Sequence, residues 1–352
     1  MKLNARRVGI LVTFAVLTAA TVSASAQDRL PADIFGAESV LTPDQQSTID
    51  EYADTWVEQL HAEDDKQVAA ARGKLIDPLG MGGTPVFTQG YCTAVSSRLA
   101  GIANPERPII QLNIMIVAAR LNKDDATAAL IQKGLDDECP AVRYWAVKAV
   151  RSPEGSNPGD ARVLSAANQQ AILGQLNQLL DQEQSTEVLE QIFVAMVELR
   201  IPAATERVYE GLNRRVENHI GKPELPYAPE CSGLRGLFQK LLQREAEGQV
   251  LDEPFRQIAR ASVRLMILLS QQAAASPLTS ELEKDYLDMA LLCDQVLRFV
   301  HTKFKSSVPA PGDINQFAKN WQEIQVKALQ WRDILTKSPF NFTDADLSIA
   351  GG

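Results

Sequence analysis

Apolar positions recur every three or four residues along most of this chain, and four proline- and glycine-rich breaks interrupt them, at 76–90, 152–160, 221–233 and 306–313. That spacing lines one face of a helix, and the breaks mark where helices stop. Period-two alternation is scarce and no Asn-Gly or Asp-Gly dipeptide occurs. The expected fold class is therefore all-α. Thr42 followed by Pro43 is a helix start, and Ile49, Tyr52, Trp56 and Leu60 follow at helical spacing. A second helix is expected over 66–75.

The stretch LDDECPAVRYWAVKAV, from Leu135 to Val150, shows the pattern most clearly. Val142, Trp145, Ala146, Ala149 and Val150 form one expected inner face, and Pro140 sits in the first turn, where its missing N–H costs nothing. The helix before it, 124–135, offers Ala128, Leu130, Ile131 and Leu135 to the same core, and Asp136, Asp137 and Glu138 fill the corner between the two. A second hairpin runs from Leu173 to Leu199 with Val188, Ile192, Ala195 and Met196 as its inner face. Upstream, Pro108 and Ile110 again start a second helix. Hairpins thus begin near Thr88, Asp124 and Ala166, and a fourth near Pro202.

The run of corner acid, Pro, Ala-Val-Arg and then small residues resembles the second helix of a HEAT or HEAT-like repeat. Asp136 or Asp137, Val142, Arg143, Ala146 and Ala149 carry the match. The resemblance implies a short α-solenoid over 88–220 in which the corner acid and Arg143 ladder between neighbouring units. It also implies that the second helices line the wall where ligands bind. Leu189 and Gln111 stand where the pattern has Arg, so no arginine ladder runs through all the units.

The C-terminal third reads differently. Leu282, Tyr286, Met289, Cys293, Val296 and Val300 form one seam, and Phe317, Trp321, Ile324, Ala328, Trp331 and Leu335 another. Two long antiparallel helices packed on each other are expected within a bundle over 234–337. This bundle would cover the open end of the repeats. An N-terminal helical segment and loop (27–87), a linker (221–233) and a flexible tail (338–352) complete the expected organisation.

The charges and termini say where the chain goes. Lys2, Arg6 and Arg7 precede an uncharged apolar run that ends on Ala24-Ser25-Ala26. This is the layout of a secretory signal peptide over 1–26, cleaved after Ala26, which points to a periplasmic or secreted protein. Membrane contact is expected only through that segment, if it stays uncleaved. The formal net charge of −9 becomes three units more negative once the leader is removed. An acidic surface repels phosphate backbones, so nucleic acid is not an expected partner. Cys92, Cys139, Cys231 and Cys293 lie too far apart for a CxxC motif and allow three pairings. Buried apolar roles suit them as well as disulfides do.

Residues that could carry chemistry are sparse. His61, His219 and His301 have no second ligand at helical spacing, and His61 with Glu63, Asp64 and Asp65 reads as a solvated helix end. The glycines of 79–85 follow no strand and precede no lysine, so they form no phosphate cradle. No catalytic set, cofactor site or metal site emerges. The best candidate is the outer side of the second helix, where Tyr144, Lys148 and Arg151 form a basic and aromatic stripe in an acidic chain, with residue types enriched at interfaces. The expected role is a non-enzymatic scaffold that binds a protein or peptide partner. The alternatives are an exported enzyme and an envelope polysaccharide-binding module.

Overall fold

The computed structural model describes residues 29–102, 107–122, 125–151, 164–317 and 320–349. The expected leader (1–26) and the break at 152–160 lie outside the described residues. Within them the chain is all-α, with no strand. The helices are α1 (Ala32–Phe35), α2 (Pro43–Gln59), α3 (Asp65–Ile76), α4 (Pro85–Gly101), α5 (Pro108–Ala118), α6 (Asp125–Leu135), α7 (Pro140–Val150), α8 (Ala166–Gln182), α9 (Thr186–Glu198), α10 (Pro202–His219), α11 (Ala228–Ala246), α12 (Asp252–Ala275), α13 (Ser280–Lys303), α14 (Trp321–Leu335) and α15 (Asp344–Leu347). None of them is long and apolar enough to cross a membrane.

The helix starts follow from local chemistry. Prolines open α2, α4, α5, α7 and α10, where no intrahelical bond would use the missing donor. Thr42, Thr84, Ser165, Ser185 and Thr279 cap α2, α4, α8, α9 and α13, each accepting a backbone N–H on its side-chain oxygen. At α7 the side chain of Asp137 accepts the Cys139 N–H instead, at 2.8 Å.

Helices pack on their second neighbours as well as their first. Even-numbered helices from α2 to α14 touch in succession, and so do odd-numbered helices from α3 to α13. Polar contacts show that neighbours in a row run parallel. Asp125 and Asp136 of the α6 hairpin meet Asn168 and Gln175 on α8. Glu190 on α9 meets Ser232 on α11, and Lys240 reaches the carbonyls of Val197 and Leu199. The chain thus forms two antiparallel rows.

Burial holds these rows together. Phe193, Phe255, Leu176, Val216 and Met266 are fully buried, and burying such a side chain contributes about 1.5–3 kcal/mol. An exposed ion pair contributes only about 0–1 kcal/mol. The apolar core therefore supplies the stability, and the polar contacts set the register. Gly134 and Gly233 each allow a close helix approach. A Cβ on Gly134 would lie 2.4 Å from Met115 Sδ of α5 and 2.8 Å from Ala146 Cβ of α7, and one on Gly233 would lie 2.7 Å from the Phe193 ring.

Several expectations need correction. Trp145 is only half-buried, whereas Val147 is fully buried, because α7 is enclosed by α5, α6 and α9 on three sides. Residues 228–233 of the expected linker belong to α11, and Tyr227 just before it is fully buried. The second C-terminal seam starts its helix at Trp321 rather than Phe317. α13 and α14 both pack chiefly on α12, and side chains such as Trp321 and Trp331 of α14 bridge to Tyr286 and Asp294 of α13. Residues 340–349 are fastened to α12 by three arginines rather than left free. Cys92, Cys231 and Cys293 are buried and Cys139 is half-buried.

Candidate functional site

On α7 the two sides expected from the sequence separate as follows. Val142, Ala146 and Ala149 are fully buried. Arg143 is the junction piece. Its Nε and Nη2 donate to the two carboxylate oxygens of Glu183 at 2.7 and 3.0 Å, and its Nη1 donates to the carbonyls of Asp137 and Glu138. The acid it pairs with is therefore Glu183 of the following corner, not the carboxylates of Asp136 or Asp137. Asp136 instead accepts from Gln175. The Arg143 guanidinium is held above its ordinary value mainly by its bond to Glu183. Burial alone would raise Glu183, but Arg143 and the N–H groups of Ser185 and Gln184 more than offset this, leaving the carboxyl below its usual range.

Tyr144, Trp145 and Lys148 form one half-exposed cluster. The two rings meet edge to face at 5.9 Å between centroids, and the Lys148 ammonium lies 5.5 Å from the Tyr144 ring and 5.0 Å from the Trp145 ring. Such a pair keeps a flat aromatic surface beside a positive charge. Arg151 does not join it. Its guanidinium donates to Glu198 and Gln191 on α9, at 3.0 and 3.1 Å, and so fixes the far end of the two helices. Of the three stripe residues, Tyr144 and Lys148 are thus grouped and Arg151 serves the packing.

The neighbouring helices of this row extend the surface in a way the sequence reading missed. Ile109, Leu112 and Ile116 of α5 and Val194 of α9 are also only half-buried. Helical spacing marks one inner face per helix and gives no signal for a further half-exposed arc. In a two-row array the middle helices keep a second, outer arc.

A second constellation is fully enclosed, at the corner between α10 and α11. Arg215 Nε donates to Glu230 Oε1 at 2.5 Å, and His219 Nε2 lies 3.1 Å from the same oxygen, outside hydrogen-bond geometry. The His219 ring stacks on Tyr227 at 4.1 Å, and the Tyr227 and Tyr286 hydroxyls both reach Gln272 Oε1. The Tyr227 N–H donates to Asp285. Burial pushes Glu230 up, and the adjacent His219 and Arg215 pull it back below the ordinary carboxylate range. Burial also raises Tyr227, Tyr286 and Asp285. A His beside a Glu could exchange protons in principle. Both side chains are wholly buried, however, and neither lines a cavity described below. The cluster fixes the corner. His219 and Glu230 sit on different helices, so helical spacing could not have paired them.

The other sequence candidates take structural places. Asp64 caps α3, Asp65 pairs with Arg107, and Thr84 of the glycine loop bonds to Phe35 and Ala37 beside α1. Open concavities lie among the described residues. One of about 1310 Å³ runs between α10 and α12 and mixes cations such as Arg200, Arg244 and Arg260 with Glu206, Glu210 and Glu253. One of about 520 Å³ lies by Asp288, Asp294 and Arg298, and one of about 330 Å³ lies at the Arg143 corner.

No family model matches this chain, and no curated protein does. The functional reading therefore rests on the geometry above.

Proposed function

We propose that this chain is an exported, non-enzymatic scaffold of HEAT-like repeats. It binds an extended protein or peptide segment along the outer arc of α5, α7 and α9. The observation that carries this reading is the half-exposed Tyr144–Trp145–Lys148 cluster, set between half-exposed Ile109, Leu112 and Ile116 on one side and Val194 on the other. Aromatic and apolar surface beside a cation is the composition of an interface centre.

The repeat reading draws support from polar contacts that recur at a nearly constant sequence distance. Arg107 to Asp65 spans 42 residues, Asn168 to Asp125 spans 43, Arg143 to Glu183 and Arg151 to Gln191 each span 40, and Ser232 to Glu190 spans 42. HEAT and armadillo units have this period of about 40–47 residues. The residue types change from junction to junction while the spacing persists.

Selection of a displayed random peptide library on the full chain tests the function. Enriched peptides are expected to lose at least about tenfold in affinity on a Tyr144→Ser/Lys148→Glu chain, since a central anchor commonly contributes more than the 1.4 kcal/mol that tenfold represents. Peptides that bind the altered chain as tightly as the parent refute the assignment.

A further inference from the structure

The last described segment, 340–349, lies against α12 in the manner of a bound peptide. Arg256, Arg260 and Arg264 stand one turn apart on one face of α12. They donate to the backbone carbonyls of Phe340 at 2.6 Å, Asp346 at 2.9 Å and Ser348 at 3.1 Å. Phe340 and Leu347 are buried, while Asn341, Thr343, Asp344, Ala345 and Ser348 are exposed. The Phe340 ring packs on Phe304, which also lies under the Arg256 guanidinium. Two apolar anchors and a row of main-chain carbonyls are thus what α12 recognises. Carbonyls are common to every sequence, so the arginines supply affinity and the anchors supply selectivity.

Two of these arginines, half-exposed Arg260 and buried Arg264, border the groove between α10 and α12. Arg264 reaches across it to Asn213 and Glu217. Asp346, next to the Leu347 anchor, places a carboxylate oxygen 3.8 Å from Arg260.

We propose that this face of α12 is a peptide-docking surface and that segment 340–349 is its built-in occupant. A partner segment of the same pattern, with a helical turn like α15 at its second anchor, takes its place: an aromatic residue, an aliphatic residue seven positions later, and an acid immediately before the latter. This surface is separate from the arc of α5, α7 and α9 and does not depend on that assignment. The segment is held by buried Phe340 and Leu347 and half-buried Phe342 and Ile349, with most of its other residues exposed, whereas α12 is buried along most of its length. It therefore lifts in a local opening that leaves α12 folded. A peptide arriving from outside binds in proportion to the fraction of molecules in which the segment is lifted.

The test uses the full chain, the full chain carrying Leu347→Asp, and a labelled peptide of sequence SPFNFTDADLSI, which copies residues 338–349. Anisotropy titration is expected to give at least about tenfold tighter binding to the Leu347→Asp chain than to the parent, because the competing segment is no longer anchored. A peptide with alanine at both anchor positions is expected not to bind. Equal affinity for the two chains overturns the proposal. So does a loss of helix content in the Leu347→Asp chain, since a latch must lift without unfolding what it covers. Hydrogen exchange on the unaltered chain adds an independent reading. Amides of 346–349 that exchange much faster than those inside α12 support the latch, and equal protection contradicts it.

Discussion

Two helix corners of this protein solve the same problem by opposite means. At the α6–α7 corner, Arg143 ties the carbonyls of its own turn to Glu183 of the next one, and it keeps some contact with solvent. At the α10–α11 corner, Arg215, His219 and Glu230 are sealed beneath Tyr227. The first contact reaches the end of α8, 40 residues ahead, and the second closes within 15 residues. The difference teaches that packed helix corners can be held by contacts of very different reach and burial.

The sharpest way to break this comparison is to remove the arginine from each corner. Arg215→Ala strands the buried Glu230 carboxylate and should cost about 3–5 kcal/mol in urea unfolding. Arg143→Ala leaves Glu183 with its two backbone donors and should cost less, about 1.5–3 kcal/mol, the range for a hydrogen bond to a charged group. Equal losses would mean that the two corners are not different in kind.

Acidification sharpens the contrast further. Both Glu183 and Glu230 lie below the ordinary carboxylate value in the folded protein. A lowered folded pKa contributes stability that is present above the unfolded value near 4.5 and is lost as pH falls through the folded one. Denaturation midpoints should therefore fall as pH drops below about 4.5, and Glu183→Gln should make that fall shallower. An unchanged acid profile in Glu183→Gln would place the acid sensitivity elsewhere. A smaller effect is expected for Tyr227→Phe, which removes one hydroxyl bond to Gln272 and should cost about 1 kcal/mol by thermal melting.

How much of this was readable in the chain follows the same division. Helical period, the proline starts and the Thr42 cap are local signals, and they placed the helices well. Val142, Ala146 and Ala149 of α7 are buried, as their helical spacing predicts. What could not be read was anything that depends on a helix's second neighbour. Trp145 resembles a core residue on a helical wheel, yet it sits where the row turns outward. Glu183, the true partner of Arg143, lies 40 residues away and just outside a helix. The tail 338–352 is expected to be loose as a chain terminus, whereas the arginines that hold 340–349 are spread along a helix more than 80 residues earlier.

The smallest effect on stability is also the most informative one for function. Tyr144→Ser with Lys148→Glu changes only half-exposed side chains and should alter unfolding free energy by no more than about 0.5 kcal/mol. Arg151 is left in place because it anchors α7 to α9. A large loss of stability would make the Tyr144 cluster part of the packing.

The central claim is that a ligand lies across α5, α7 and α9 as one surface. Hydrogen–deuterium exchange of the full chain, with and without a peptide selected on it, tests this most directly. The account predicts slowed exchange in 109–116, 141–148 and 190–197 together, with the α10–α11 corner unchanged. Protection confined to α10 and α12, or absent from α7, would contradict it.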